Sequence, residues 1–215
     1  FSLLPAASGG KKEKNLSDEE LMTLVQKQTF RYFWDYGHPV SGLARERSNG
    51  NDDIVTIGGS GFGVMAIIVG AERGFVTREQ AAERMLKIVN FLNDKNTDSY
   101  HGIWAHWING QSGETISFSR KDDGADLVES AFMFEGLLAA HQYFNKDNQV
   151  ERRIRALIND LWRQAEWNWF TKGGEDVLYW HWSPNNGWSM NHQIKGHNEC
   201  HITYICLLYT SDAAD

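Results

Sequence analysis

Four carboxylates fall within the ten residues Lys121-Asp122-Asp123-Gly124-Ala125-Asp126-Leu127-Val128-Glu129-Ser130, where a long apolar stretch begins. One or two acids at a helix N-terminus cap free N–H groups and suit the helix dipole. Four acids repel one another, so a cap alone does not account for them. Asp122, Asp126 and Glu129 are spaced by four and three, which puts them on one face of a helix starting near Gly124. Clustered carboxylates accept hydrogen bonds from a polyhydroxylated or cationic substrate. Crowding also raises the pKa of one member, making it a proton donor. The plainer alternative is a capped helix start in solvent.

A fifth acid stands in Gly196-His197-Asn198-Glu199-Cys200-His201, at the start of another apolar run. Its plain reading is again a helix-terminal acid. Its neighbours Cys200, Ile202 and Tyr204 are apolar enough to raise the pKa of Glu199 toward that of a working acid. In the Gly/Asn/Ser-rich loops ahead of these two segments lie Trp104, Trp107, Trp180, Trp182 and Trp188, with His106 and His181 among them. Flat aromatic rings beside paired acids suit glycoside hydrolysis, in which one carboxyl protonates the leaving oxygen and a second acts as base or nucleophile. His106 and His181 read as loop hydrogen-bonders, with sugar hydroxyls as candidate partners.

Other motifs carry less. His197 and His201 are four apart but lack the Glu directly after the first His that a zincin needs, so no metal or cofactor is expected. Gly58-Gly59-Ser60-Gly61-Phe62-Gly63 lacks the Lys-Ser/Thr ending of a phosphate loop, and close helix packing explains it better. Cys200 reads as a buried thiol rather than a nucleophile.

The elements that must position these residues are helical. Ser17 and Glu20 form a capping box for a first helix to about Tyr36. A second helix runs from Gly58 to about Arg73 and is apolar nearly all round, so it is buried. Thr77 and Gln80 open a third. A fourth spans about Gly124 to Phe144, a fifth about Gln149 to Phe170, and a sixth starts near His197. Long loops, Asn96–Asp123 and Thr171–Gly196, precede the fourth and sixth and contain short β-like aromatic runs. Gly58, Gly124 and Gly196 recur at a similar interval, each opening an even-numbered helix. Buried helices thus alternate with amphipathic ones, as in a toroid of helical hairpins with an inner and an outer ring. The fold class is all-α: an (α/α)6 barrel of which about half is present. In such a toroid the inner-helix N-termini open on one face. Asp52, Asp53, Asp122, Asp123, Asp126, Glu129 and Glu199 then converge on one cleft walled by the aromatic loops.

The 215 residues carry 28 acidic and 21 basic side chains, with no basic stripe, which argues against nucleic acid. No run is long and apolar enough to span a membrane. Residues 1–16 resemble the remnant of a secretory signal followed by a polar spacer, so an exported protein, periplasmic or secreted, is expected. Residues 206–215 resemble a translated sequencing adapter, which leaves 17–205 as the natural domain and Cys200 as its cysteine.

The run from Leu16 to Ile205 resembles the glycoamylase-like domain, and more closely the bacterial endo-β-1,2-glucanases of glycoside hydrolase family 144. The segments that carry the likeness are Gln28–Trp34, Thr56–Gly63, Asp122–Phe132 and Gly196–Glu199. The resemblance implies hydrolysis of β-1,2-glucan to sophoro-oligosaccharides, with inversion, by a protein that is expected to be monomeric at full length. It implies that Glu199 is the general acid and that Asp122, Asp126 and Glu129 line the substrate cleft. The base it implies lies beyond Ile205, so this chain alone is expected to be inactive and poorly soluble. Another β-glucan-active or glucoamylase-like enzyme, a non-catalytic glycan-binding protein and a purely structural helical module are the alternatives.

Overall fold

The computed structural model describes residues 16–211; the signal-remnant reading of 1–15 and the end of the adapter-like tail, 212–215, lie outside them. Six helices alternate with short strands: α1 (Asp18–Asp35), β1 (Ile54–Thr56), α2 (Ile57–Glu72), α3 (Arg78–Leu92), β2 (Trp107–Asn109), β3 (Thr115–Ile116), β4 (Ala125–Asp126), α4 (Leu127–Tyr143), α5 (Gln149–Gln164), β5 (Leu178–Tyr179), β6 (His181–Trp182), β7 (Gln193–Ile194) and α6 (His201–Ser211).

The odd helices begin at the caps legible in the sequence. Ser17 with Glu20 and Thr77 with Gln80 form complete capping boxes, and Asn148 caps α5 through the Glu151 N–H. α5 buries the stripe Ile154, Leu157, Ile158 and Leu161 and leaves its other faces in solvent. α2 and α4 have no such polarity and are buried along most of their length. α2 packs on α4, and α4 on α6, forming the inner row. α1 covers α2, and α3 and α5 pair outside them. This is an arc of an α/α toroid.

Glycines set the spacing of the inner row. A Cβ on Gly61 would sit 2.2 Å from the Phe132 carbonyl oxygen, and one on Gly136 2.5 Å from the Gly61 carbonyl oxygen. The glycine run is therefore a helix-contact surface, as the sequence indicates, and it lies inside α2 rather than ahead of it.

Three boundaries differ from expectation. α4 starts at Leu127 instead of Gly124, because Ala125 and Asp126 pair with Trp182 and His181 as strand. α5 ends at Gln164, and Trp167–Thr171 forms a separate 3-10 turn. α6 starts at His201, four residues after His197, and runs unbroken across the Ile205–Cys206 point, with Cys206 buried. The loop runs also fold as short sheets: β1, β2 and β3 form one antiparallel sheet, β4 pairs with β6, and β5 with β7.

Candidate active site

The β4–β6 pair brings two loops to the α4 N-terminus. Its register sets Asp126 opposite His181 and Ala125 opposite Trp182. Asp126 is the N-cap of α4: one carboxylate oxygen accepts from the Val128 N–H at 3.1 Å, the Glu129 N–H at 3.0 Å and the Trp180 indole N–H at 2.9 Å. The other oxygen meets His106 Nδ1 at 3.2 Å and His181 Nε2 at 3.5 Å. His181 Nε2 also meets Asp122 at 3.2 Å. Asp122, Asp126 and His181 are all buried.

Asp122, then, is not on the face of α4. It stands in the loop before β4 and reaches Asp126 through a shared histidine. Asp122 and Asp126 do come together, but loop and strand pairing bring them there, not helical spacing.

Burial penalises the charge on Asp126, yet the hydrogen bonds from His106 and His181 and the charge of His181 win, holding its carboxyl at about 2. Burial likewise opposes a charge on His181, and the Asp122 and Asp126 carboxylates reverse that, raising it to about 9. His106 moves up in the same way: burial opposes its charge, but the bond to Asp126 together with the Glu129, Asp126 and Asp122 charges outweighs it. Glu129 goes the other way from Asp126. Burial is the main cause of its raised pKa, and the Asp126 charge adds to it. His106 and the Gly58 N–H, which donates to Glu129 Oε2 at 3.0 Å, pull it back only partly. Adjacent carboxyls with pKa values pushed apart are the arrangement that acid–base work needs. The charge of Glu199 also raises Glu129 slightly.

Several site residues differ from expectation. Glu199 is exposed, in the turn ahead of α6, without the apolar enclosure its sequence neighbours imply; Cys200 is the buried one. Asp123 is a loop pin: it accepts from the Ser183 hydroxyl and from Asn185 Nδ2 at 2.8 Å, and these bonds lower its pKa against the effect of burial. Asp53 is engaged by His38 at 3.4 Å beside β1, away from the α4 acids in its bonding, and Asp52 faces Arg45. Trp104 is core. It is 1% exposed and packs on Phe134 at 5.1 Å. Ser130 binds both its backbone N–H and its carbonyl, so the strand-like run turns this indole inward.

The remaining aromatics divide into two groups. Trp107, His106 and Phe118 stand together, and Trp180 stacks with His192 at 5.0 Å beside His181. These surround the acids. Trp182 follows His181 on β6 and so faces the opposite side. Its ring contacts are Tyr100, His101 and Trp169, and Trp188 packs on Trp169, Phe170 and Tyr179. Trp182 and Trp188 therefore do not wall the acid cluster. His106 and His181 hold carboxylates in place of the sugar hydroxyls suggested for them. Phe118 and His192 are site components the sequence does not flag, since nothing in their spacing marks them, and Gly58, marked there only as a helix opener, adds its N–H.

Asp122, Asp126 and His181 offer ligand atoms within 4.8 Å of one another, a spacing open to a cation. The His181 proton, held to about 9, occupies that role and must leave before the ring nitrogen could ligate. His197 and His201 stack at 4.0 Å.

No family model matches the chain. A Parabacteroides distasonis protein named exo-β-1,2-glucooligosaccharide sophorohydrolase (non-reducing end) is 48% identical over 192 residues, 88% of this chain and 26% of that protein. The endo-β-1,2-glucanase structure from Chitinophaga pinensis, a complex with sophorotriose and glucose, matches at 48% identity and TM-score 0.84, over 89% of this chain and 47% of that one. In sequence and in fold the chain is similar to part of each of these two proteins. A Bacteroides uniformis structure provisionally named a glucoamylase is nearer still in sequence, at 81% identity and TM-score 0.89, over 90% of this chain and 47% of that one. The chain spans about half the length of these solved relatives and about a quarter of the sophorohydrolase.

Proposed function

We propose that the protein containing this chain is a glycoside hydrolase that cleaves β-1,2-glucan to sophoro-oligosaccharides. The observation that carries the reading is the split pair at the α4 N-terminus, Asp126 held ionised and Glu129 biased toward protonation, in a chain nearly half identical to enzymes named for β-1,2-glucan. Glu199, exposed in the turn ahead of α6, is the candidate general acid. Glu129 is a second candidate, because burial raises its pKa in the direction a proton donor needs, whereas Glu199 is exposed. Asp122 and Asp126 orient the site through His181, while Trp107 and Trp180 offer rings to the sugar.

Glucan polymers do not cross a bilayer unaided, which supports an exported enzyme, and we propose that it acts as a monomer. The test is incubation of the full-length polypeptide with linear β-1,2-glucan and separation of the products, with Glu199→Gln and Glu129→Gln alongside. Short oligosaccharides from the wild type, and a loss of roughly a hundredfold or more in one variant, identify the acid. An inert wild type refutes the reading.

A further inference from the structure

The second aromatic group has an open groove that the acid cluster does not use. It has a volume of about 600 Å³ and is lined by Glu166, Asn168, Trp169, Thr171, Lys172 and Trp188, with Gly173 and Gly174. Trp169 is 39% exposed, yet firmly held. The His101 ring stacks on it at 3.8 Å and 15°, and Glu166 fixes that imidazole through Nδ1 at 2.9 Å. The Trp169 N–H donates to the Glu166 carbonyl and its own carbonyl accepts from Lys172. His101 and Lys172 both take left-handed backbone conformations, costly for residues with a side chain, and Gly173 and Gly174 continue the turn with positive φ. Lys172 is tied down by Asn191 at 3.0 Å and lies over the Tyr179 ring. The indole is exposed because its surroundings hold it so.

We propose that Trp169 and Trp188 form a saccharide platform distinct from the acid cluster. A pyranose presents a C–H face to a flat ring and hydroxyls around its edge. The groove matches both, with two indoles for the face and the Glu166 carboxylate, Asn168 amide, Thr171 hydroxyl and Lys172 ammonium around them as acceptors and donors. Its volume suits an oligosaccharide segment, and its rigidity lowers the ordering cost of binding. The occupant is a glucan chain, an assignment that rests on the proposed function above. Trp182, next to His181 on β6, turns its ring to the Trp169 side, away from the acids.

The test labels the full-length polypeptide with 5-fluorotryptophan and assigns the Trp169 resonance with Trp169→Phe. Linear β-1,2-, β-1,3- and β-1,4-gluco-oligosaccharides are titrated while hydrolysis of β-1,2-glucan is followed separately. The expected result is a saturable Trp169 shift with β-1,2-oligosaccharides. Trp169→Ala should raise KM for the long polymer about tenfold with kcat unchanged, and Trp169→Phe should recover most of that loss. A Trp169 signal indifferent to every saccharide, in an enzyme that hydrolyses β-1,2-glucan, overturns the platform and leaves the function standing. A signal shielded from solvent also overturns it, since another part of the polypeptide then covers the groove. A Trp169 shift with a different glucan, and no hydrolysis of β-1,2-glucan, upholds the platform and overturns the assigned linkage.

Discussion

Asp126 and His181 are register partners across β4 and β6, and their side chains meet at 3.5 Å through the imidazole Nε2, which Asp122 also meets at 3.2 Å. One histidine thus joins two buried acids from different segments. Without it, two carboxylates would be left in a dry site.

Removing that imidazolium should be costly. His181→Ala is expected to destabilise the fold by about 3–5 kcal/mol at pH 7, read from urea unfolding. The sign with pH follows from the pKa values. His181 is raised from 6.5 to about 9, so its contribution is complete below about 6.5 and fades as pH rises through 9. Asp126 is lowered from 3.8 to about 2, so its contribution is present above about 4 and is lost as pH falls through 2. The wild type should therefore be most stable between these limits, and His181→Ala should flatten the alkaline limb. An alkaline limb unchanged in the variant contradicts this account.

The outer helices have their own buried pair. Arg78 Nε and Nη2 donate to Glu151 at 3.0 and 2.9 Å, and the Lys146 N–H adds a bond at 2.8 Å. Glu151 is 3% exposed, and the Arg78 bonds hold it at about 2 against burial. Arg78→Ala leaves that acid unpaired between α3 and α5 and should cost about 3 kcal/mol. Because the Glu151 pKa is depressed, the wild-type advantage should be present above about pH 4.5 and vanish as pH falls toward 2. Melting temperatures of both proteins across that range check it.

Gly61→Ala tests the inner row. Helix propensity alone favours Ala by about 1 kcal/mol. The added Cβ would lie 2.2 Å from the Phe132 carbonyl, so α2 and α4 must part, at about 1–3 kcal/mol net. A more stable variant would show the helices are not in contact there.

The two tryptophans of the β2 approach should behave differently. Trp104→Ala empties a core site against Phe134 and should cost about 3–5 kcal/mol of stability. Trp107 is only half-buried beside Phe118, so Trp107→Ala should spare the melting temperature and weaken glucan binding. Equal losses of stability in the two would erase the distinction between core and site.

Much was legible in the sequence because its causes are local. Ser17 and Thr77 mark helix starts through bonds that close within three residues. The α5 stripe shows its buried side through a period that any helix shares, and the glycines of α2 declare a close contact. The acids of Asp122–Glu129 likewise announce a site, since so many like charges need a reason.

The sequence by itself determined the alternation of buried and amphipathic helices, the capped starts and the segment that carries the acids. Each follows from hydrophobic period, capping chemistry and charge crowding along a single stretch of chain. Tertiary structure decided what each acid does. The β4–β6 register, formed across more than fifty intervening positions, set His181 between Asp122 and Asp126. It also sent Trp182 to the far side, and packing on Phe134 drew Trp104 into the core. Strand alternation, burial and the pKa shifts they cause depend on which residue is opposite, and no local pattern encodes that partner.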